Sequence, residues 1–108
     1  MQFGIFIYDG VEPIDLATFG VLSMARRIAP EISIHTIAPN AGPVALANGL
    51  KVTADFGIED APACDLVIVT GGPGWIEQVK APATLDYIRR VHASHRIASV
   101  CTLSLIHI

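Results

Sequence analysis

Apolar residues in this chain come in short β-rich runs separated by stretches of helical spacing. Gln2 to Tyr8 (QFGIFIY) reads as a buried parallel strand, closed by the turn signal Asp9-Gly10. Pro13 then stands near the start of a helix expected to reach about Ala29. Leu16, Phe19, Gly20, Met24 and Ile28 recur along it at helical spacing, Arg26-Arg27 suit its last turn, and Pro30 stops it. Ile32 to Ala38 alternates apolar and polar residues and predicts a second strand. Pro39 to Pro43 is a loop, and Asn48-Gly49 between Val44-Ala45 and Leu50 to Thr53 is a hairpin signal. Gly57 to Ala63 reads as a connector. Asp65 to Val69 (DLVIV) is a fully buried third strand leading into Thr70-Gly71-Gly72-Pro73-Gly74. Trp75 to Lys80 suits a short helix. Pro82 opens another helix, carrying Leu85, Ile88 and Val91 to about His92. Ile97 to Val100 is a fourth strand, ending in Cys101.

Strands alternating with helices predict an α/β fold, a doubly wound parallel sheet with right-handed crossovers and strand order 2-1-3-4. Such a domain would be about half built by residue 102, so the chain reads as the amino-terminal part of a single domain, truncated after the fourth strand. Leu103 to Ile108 (LSLIHI) is what one frame of a common transposase sequencing adapter encodes, and residues 103–108 are expected to be a non-native tail. A polypeptide ending there lacks the helix that should follow Cys101 and is expected to be inactive by itself.

Composition narrows the function classes. With 108 residues, 52% apolar and 16% charged, the chain is one small globular domain. A net charge of −3 gives no electrostatic footprint for nucleic acid. No apolar run is long enough to span a membrane, and the first strand begins without the basic region of a secretory signal. Cys64 and Cys101 lack metal-ligand spacing and make a poor disulfide pair, so a cytoplasmic protein with reduced thiols and neither metal nor cofactor is expected.

The candidate chemistry lies at the carboxyl ends of strands, where open α/β sheets bind ligands. Arg96 to Thr102 (RIASVCT) reads as a nucleophile elbow: a buried strand, then Cys101 on a sharp turn, then a helix whose amino end would lower the thiol pKa. Gly71-Gly72 would let backbone N–H groups approach a developing negative charge, or would form an ordinary turn. Asp15 could orient or protonate a reacting group beside the thiol. On spacing alone, a helix-capping acid is the stronger reading for it. Glu12 reads as a solvated loop acid. Thr102 could add an N–H to an oxyanion hole or cap the following helix. Cys64 reads as a buried core thiol. His92 and His95 suit a helix end, His35 a half-exposed strand position, and Trp75 a pocket wall or core filler.

Together, IFIYDGVEPIDLATF, LVIVTGGPG and IASVCT resemble the ThiJ/PfpI superfamily, a flavodoxin-like group related to class I glutamine amidotransferases. The resemblance covers Gln2 to Thr102. It implies that Cys101 is the reactive residue and that Asp15 is its acidic neighbour. It also implies that backbone amides at the diglycine, Gly71 and Gly72, and at Thr102 surround the reacting group. Members built as proteases or amidotransferases pair the cysteine with histidine; here Thr102 follows Cys101. Aspartate with Cys-Thr is similar to the isonitrile hydratase branch, lyases that hydrate an isonitrile to an N-substituted formamide. The same elbow occurs in sensor domains of AraC-type transcription regulators, and glyoxalase or deglycase activity on reactive carbonyls is a third implied possibility. Leu103 departs from the small residue usual after Cys-Thr. The family implies a small-molecule substrate and a homodimeric parent.

Overall fold

The computed structural model describes residues 1–94 and 96–99. The first strand, β1 (Gln2–Phe6), leads through a 3-10 turn at Pro13–Leu16 into α1 (Ala17–Ala25) and then β2 (Ser33–Ala38). A hairpin follows, β3 (Gly42–Ala45) with β4 (Lys51–Ala54), and then a two-residue strand, β5 (Phe56–Gly57). The chain continues through β6 (Leu66–Val69), α2 (Trp75–Gln78), α3 (Pro82–Ser94) and β7 (Arg96–Ser99). The main sheet has the order β5-β2-β1-β6-β7, with every described pairing parallel. This is the predicted 2-1-3-4 order, extended at one edge by β5. That edge strand ends where the expected connector begins, at Gly57: Phe56 and Gly57 pair with Ile37 and Ala38, and the Thr36 hydroxyl accepts the Asp55 N–H at 2.9 Å. The expected end of the fourth strand, Val100, lies outside the described residues.

Successive residues of β1 serve opposite faces of the sheet, as strand geometry requires. Phe6 and Tyr8 meet Tyr87 and Trp75 on the α3 side, with the Phe6 and Tyr87 rings stacked at 5.7 Å. Ile5 and Ile7 lie on the other side, with Leu16, Phe19 and Val52. All four are completely buried, which is why β1 reads as an unbroken apolar run.

The hairpin forms where Asn48-Gly49 predicts it, and both residues have the positive φ such a turn needs, 63° and 89°. The loop is wider than two residues, however. The ladder closes at Ala45 and Lys51, and the Leu46 N–H donates to the Leu50 carbonyl at 2.7 Å. Leu46 is buried, so the wider loop lets a large apolar side chain enter the core.

The face that α1 presents to the core differs from the expected one. Met24 and Ile28 of the helical stripe point outward, together with Ile14 and Val21, while Phe19 is part exposed at the edge of the face beside Ile5 and Ile7; Ile28 is 91% and Ile14 72% exposed. Thr18, Leu22 and Ala25 turn inward instead. The 3-10 turn feeding α1 carries Asp15, which is buried against the loop after β6, and that anchor sets the rotation of the helix that follows. Among the described residues, no helix is long and apolar enough to cross a membrane.

Candidate functional site

Two loops emerge at the carboxyl end of the sheet, residues 9–12 after β1 and residues 70–74 after β6, and they interlock through their backbones. The Glu12 N–H donates to the Gly71 carbonyl at 2.9 Å, and the Gly74 N–H donates to the Gly10 carbonyl at 3.1 Å. So close an approach requires glycine. A Cβ on Gly72, where φ is +140°, would lie 2.7 Å from the Gly10 carbonyl oxygen and closer still to the Glu12 nitrogen. A Cβ on Gly74 would overlap the Asp9 carbonyl oxygen outright. The hairpin braces the same loop: the Asp9 carboxylate accepts the Ala45 N–H at 3.1 Å, and the Gly10 N–H donates to the Ala45 carbonyl at 2.8 Å.

Asp15 sits beneath this junction, 5% exposed, and its carboxylate accepts the Gly71 N–H at 2.7 Å. Spacing alone favoured a helix cap for Asp15; the bond described here ties its carboxylate to the diglycine loop across 56 residues of sequence. The same bond occupies the Gly71 amide, one of the donors implied for an oxyanion. Gly72 follows it in a buried turn.

Tyr8, read from the sequence as a strand residue, and Thr70, read as the start of the glycine loop, complete the layer below. The Tyr8 hydroxyl donates to the Thr70 carbonyl at 2.7 Å, and the Thr70 hydroxyl donates to the Phe6 carbonyl at 2.6 Å; both side chains are fully buried. Burial, with the nearby Asp15 carboxylate in support, holds the Tyr8 phenol well above its ordinary range, so it remains a donor. The sequence signal available was a polar-tipped residue closing an otherwise apolar run.

The remaining candidates divide clearly. Glu12 is half-buried and contributes its backbone. Trp75 is core, tilted against Tyr8 at 5.8 Å. His92 is exposed at the end of α3, and His35 is half-buried on β2 with its ring edge-on to Phe56. Cys64 is buried before the amino end of β6, away from the interlocked loops, and its thiol donates to the Pro62 carbonyl at 3.4 Å. Burial first, and the Asp65 carboxylate second, push that thiol up from its ordinary range. Among the described residues, no group of three or more His, Cys, Asp and Glu side chains could hold a metal ion. Cys101, Thr102 and His95 lie outside the described residues. Strand β7 runs parallel to β6 with Ser99 paired to Val69, two residues short of Cys101 in the chain.

The chain is similar to several known proteins. It is 32% identical over 108 residues to the isonitrile hydratase of Pseudomonas putida, covering 98% of this chain and 46% of that protein. It is 34% identical over 102 residues to the HTH-type transcriptional regulator GbdR of Pseudomonas aeruginosa, covering 92% of this chain and 28% of that one. A crystal structure of a ThiJ/PfpI family protein from Pseudomonas syringae superposes with a TM-score of 0.84 at 23% identity, over 97% of this chain and 43% of that one. The chain thus spans less than half the length of each of these three relatives. The family model described as DJ-1/PfpI matches residues 2–106, nearly the whole sequence, and on that match, joined to a parallel sheet of the expected order, the chain belongs to the DJ-1/PfpI family.

Proposed function

We propose that the full-length parent is a cysteine-dependent enzyme of the isonitrile hydratase type. The observation that carries this reading is the Asp15 carboxylate, buried and held by the Gly71 N–H at the end of the sheet toward which β7 runs; Cys101 follows β7 by two residues in the sequence. The similarity to the Pseudomonas putida isonitrile hydratase supports it. In the proposed cycle, the Cys101 thiolate adds to the terminal carbon of the isonitrile, and that carbon takes a proton delivered through Asp15, giving a thioimidate. Water then adds to the same carbon, the C–S bond breaks, and the released thiolate is available for the next turnover. The proton lost by the water returns to Asp15, and the product tautomerises to the N-substituted formamide. Amides of Gly72 and Thr102 are assigned to the charge that builds up, and the Thr102 hydroxyl to the attacking water. Nothing in this scheme calls on a metal or cofactor.

The proposed unit is residues 1–102 as the first part of one domain, with 103–108 a non-native tail. We also assign the parent to the cytoplasm, as a homodimer. The outward apolar residues in and flanking α1, Ile14, Val21, Met24 and Ile28, support self-association.

The similarity to GbdR favours a second reading, in which this segment senses a small ligand for an AraC-type regulator. The test is to assay the full-length parent for conversion of an isonitrile to its formamide, with Cys101→Ala expected to abolish turnover and Asp15→Asn to slow it greatly. A parent that instead consumes a dicarbonyl would establish the glyoxalase or deglycase alternative. One that turns over neither and binds promoter DNA would establish the regulator.

A further inference from the structure

Asp15 is not held by an isolated amide. The N–H it accepts belongs to Gly71, and the other end of that same peptide group is the Thr70 carbonyl, which accepts the Tyr8 hydroxyl. In a planar trans peptide, the C=O and N–H point to opposite sides, and polarising one end strengthens the other. We propose that Tyr8 is a positioning residue that acts on Asp15 through the Thr70–Gly71 peptide group: phenol to carbonyl, then amide to carboxylate.

Both bonds are 2.7 Å long, and the groups at both ends lie out of water, Tyr8 at 0% and Asp15 at 5% exposure. In such surroundings hydrogen bonds reinforce one another more than they do in solvent. The peptide between them has little freedom to turn. The Thr70 hydroxyl and N–H both donate to the Phe6 carbonyl, at 2.6 and 3.3 Å, and the Gly71 carbonyl accepts the Glu12 N–H at 2.9 Å. The Tyr8 ring is fixed against Phe6 and Trp75 at 6.0 and 5.8 Å, so Phe at position 8 would keep the packing and remove only the hydroxyl. A purely packing role for Tyr8 would leave the Gly71 amide indifferent to that hydroxyl. The role of Asp15 in chemistry rests on the function proposed above; the relay itself does not.

The test uses the full-length parent labelled with 15N-glycine. In Tyr8→Phe, the Gly71 amide proton should move upfield and exchange faster. With an isonitrile substrate, kcat should fall about two- to five-fold while KM is unchanged. In an Asp15→Asn background, the same change should leave the residual kcat unaltered, because the titratable carboxylate that Tyr8 acts on has gone even though an amide oxygen can still accept the Gly71 N–H. A complementary variant covers a Tyr8→Phe protein that fails to fold. With 3-fluorotyrosine introduced at position 8 alone by codon suppression, the more acidic phenol is a stronger donor and should shift the Gly71 amide downfield. An unmoved Gly71 resonance in either variant overturns the relay, whatever the parent catalyses. Equal losses of kcat with and without the Asp15 carboxylate overturn it as well. If the parent converts no isonitrile, the proposed reaction fails, and the amide shift still decides the relay.

Discussion

Four glycine-to-alanine substitutions separate the physical demands of the interlocked loops. Gly20 lies within α1 with nothing within 4 Å of the position a Cβ would take, so Gly20→Ala should stabilise by about 0.5–1 kcal/mol through lower chain entropy in the unfolded state. Gly49 has φ +89° and open space around it, so Gly49→Ala should cost about 1–2 kcal/mol from backbone strain alone. Gly74 has an ordinary helical φ of −64° but no room beside the Asp9 carbonyl. Gly74→Ala should therefore cost about 1–3 kcal/mol from steric displacement alone. Gly72 combines both demands: φ +140° and backbone atoms of Gly10, Val11 and Glu12 on three sides. Strain of about 1–3 kcal/mol and overpacking of about 1–3 kcal/mol put Gly72→Ala at about 2–6 kcal/mol. The assay is urea unfolding of the full-length parent followed by circular dichroism, with unchanged m-values confirming a common transition. The decisive comparison is Gly72→Ala against Gly49→Ala. Equal losses would mean that the two loops part freely, and the close approach holding Asp15 under Gly71 would have no energetic weight.

Burial of the two phenols makes alkaline unfolding a second check. Tyr87 is pushed up to about 12, chiefly by burial and secondarily by Cys64, with Arg90 partly offsetting, and Tyr8 is raised further. The unfolded chain therefore loses these protons from about pH 10 while the fold still holds them. Stability is complete below about pH 10 and falls as pH rises toward 12; urea midpoints from pH 9 to 12 that stay flat would refute it. Native alkylation at pH 8 should leave Cys64 unmodified, and labelling of Cys64 at the rate of a free thiol, read by mass spectrometry, would contradict its burial. Thr84→Val should cost about 1 kcal/mol, because its buried hydroxyl donates to the Gln78 side chain at 2.7 Å where α2 meets α3; an unchanged melting temperature would show that the bond has no net value. Replacing Val21 and Ile28 with Glu should turn a dimeric parent monomeric in analytical ultracentrifugation without loss of fold, whereas a dimer that persists would place its interface elsewhere.

Much of the architecture was written locally. The runs QFGIFIY and DLVIV are apolar at every core-facing position on both faces, so a central parallel strand was the consistent reading for each. Pro82 marked the start of α3, and Asn48-Gly49 marked the hairpin, because those residues constrain φ where they stand. The family could be read from three short segments, two of which, IFIYDGVEPIDLATF and LVIVTGGPG, join a strand end to a loop. Glycine in LVIVTGGPG likewise announced a close approach, but not what would approach.

Tertiary structure decided the rest, because it depended on partners far away in the chain. The rotation of α1 was ambiguous locally: the helix carries apolar residues on more than one side, and helical periodicity alone favoured Phe19, Met24 and Ile28 as the core face. With Asp15 anchored on Gly71, 56 residues distant, Met24 and Ile28 face outward and Phe19 is left at the edge of the buried face. The wider hairpin loop followed from burying Leu46, and β5 formed because an edge of β2 was open to it. Asp15 alone read as a helix cap; only the crossing of two loops made it an acceptor for the diglycine. Tyr8 read as strand until its hydroxyl met the Thr70 carbonyl. Strand, turn and helix propensities act over a few residues and survive in the sequence. The site is made where β1 and β6 end side by side, and that adjacency exists only once the sheet has formed.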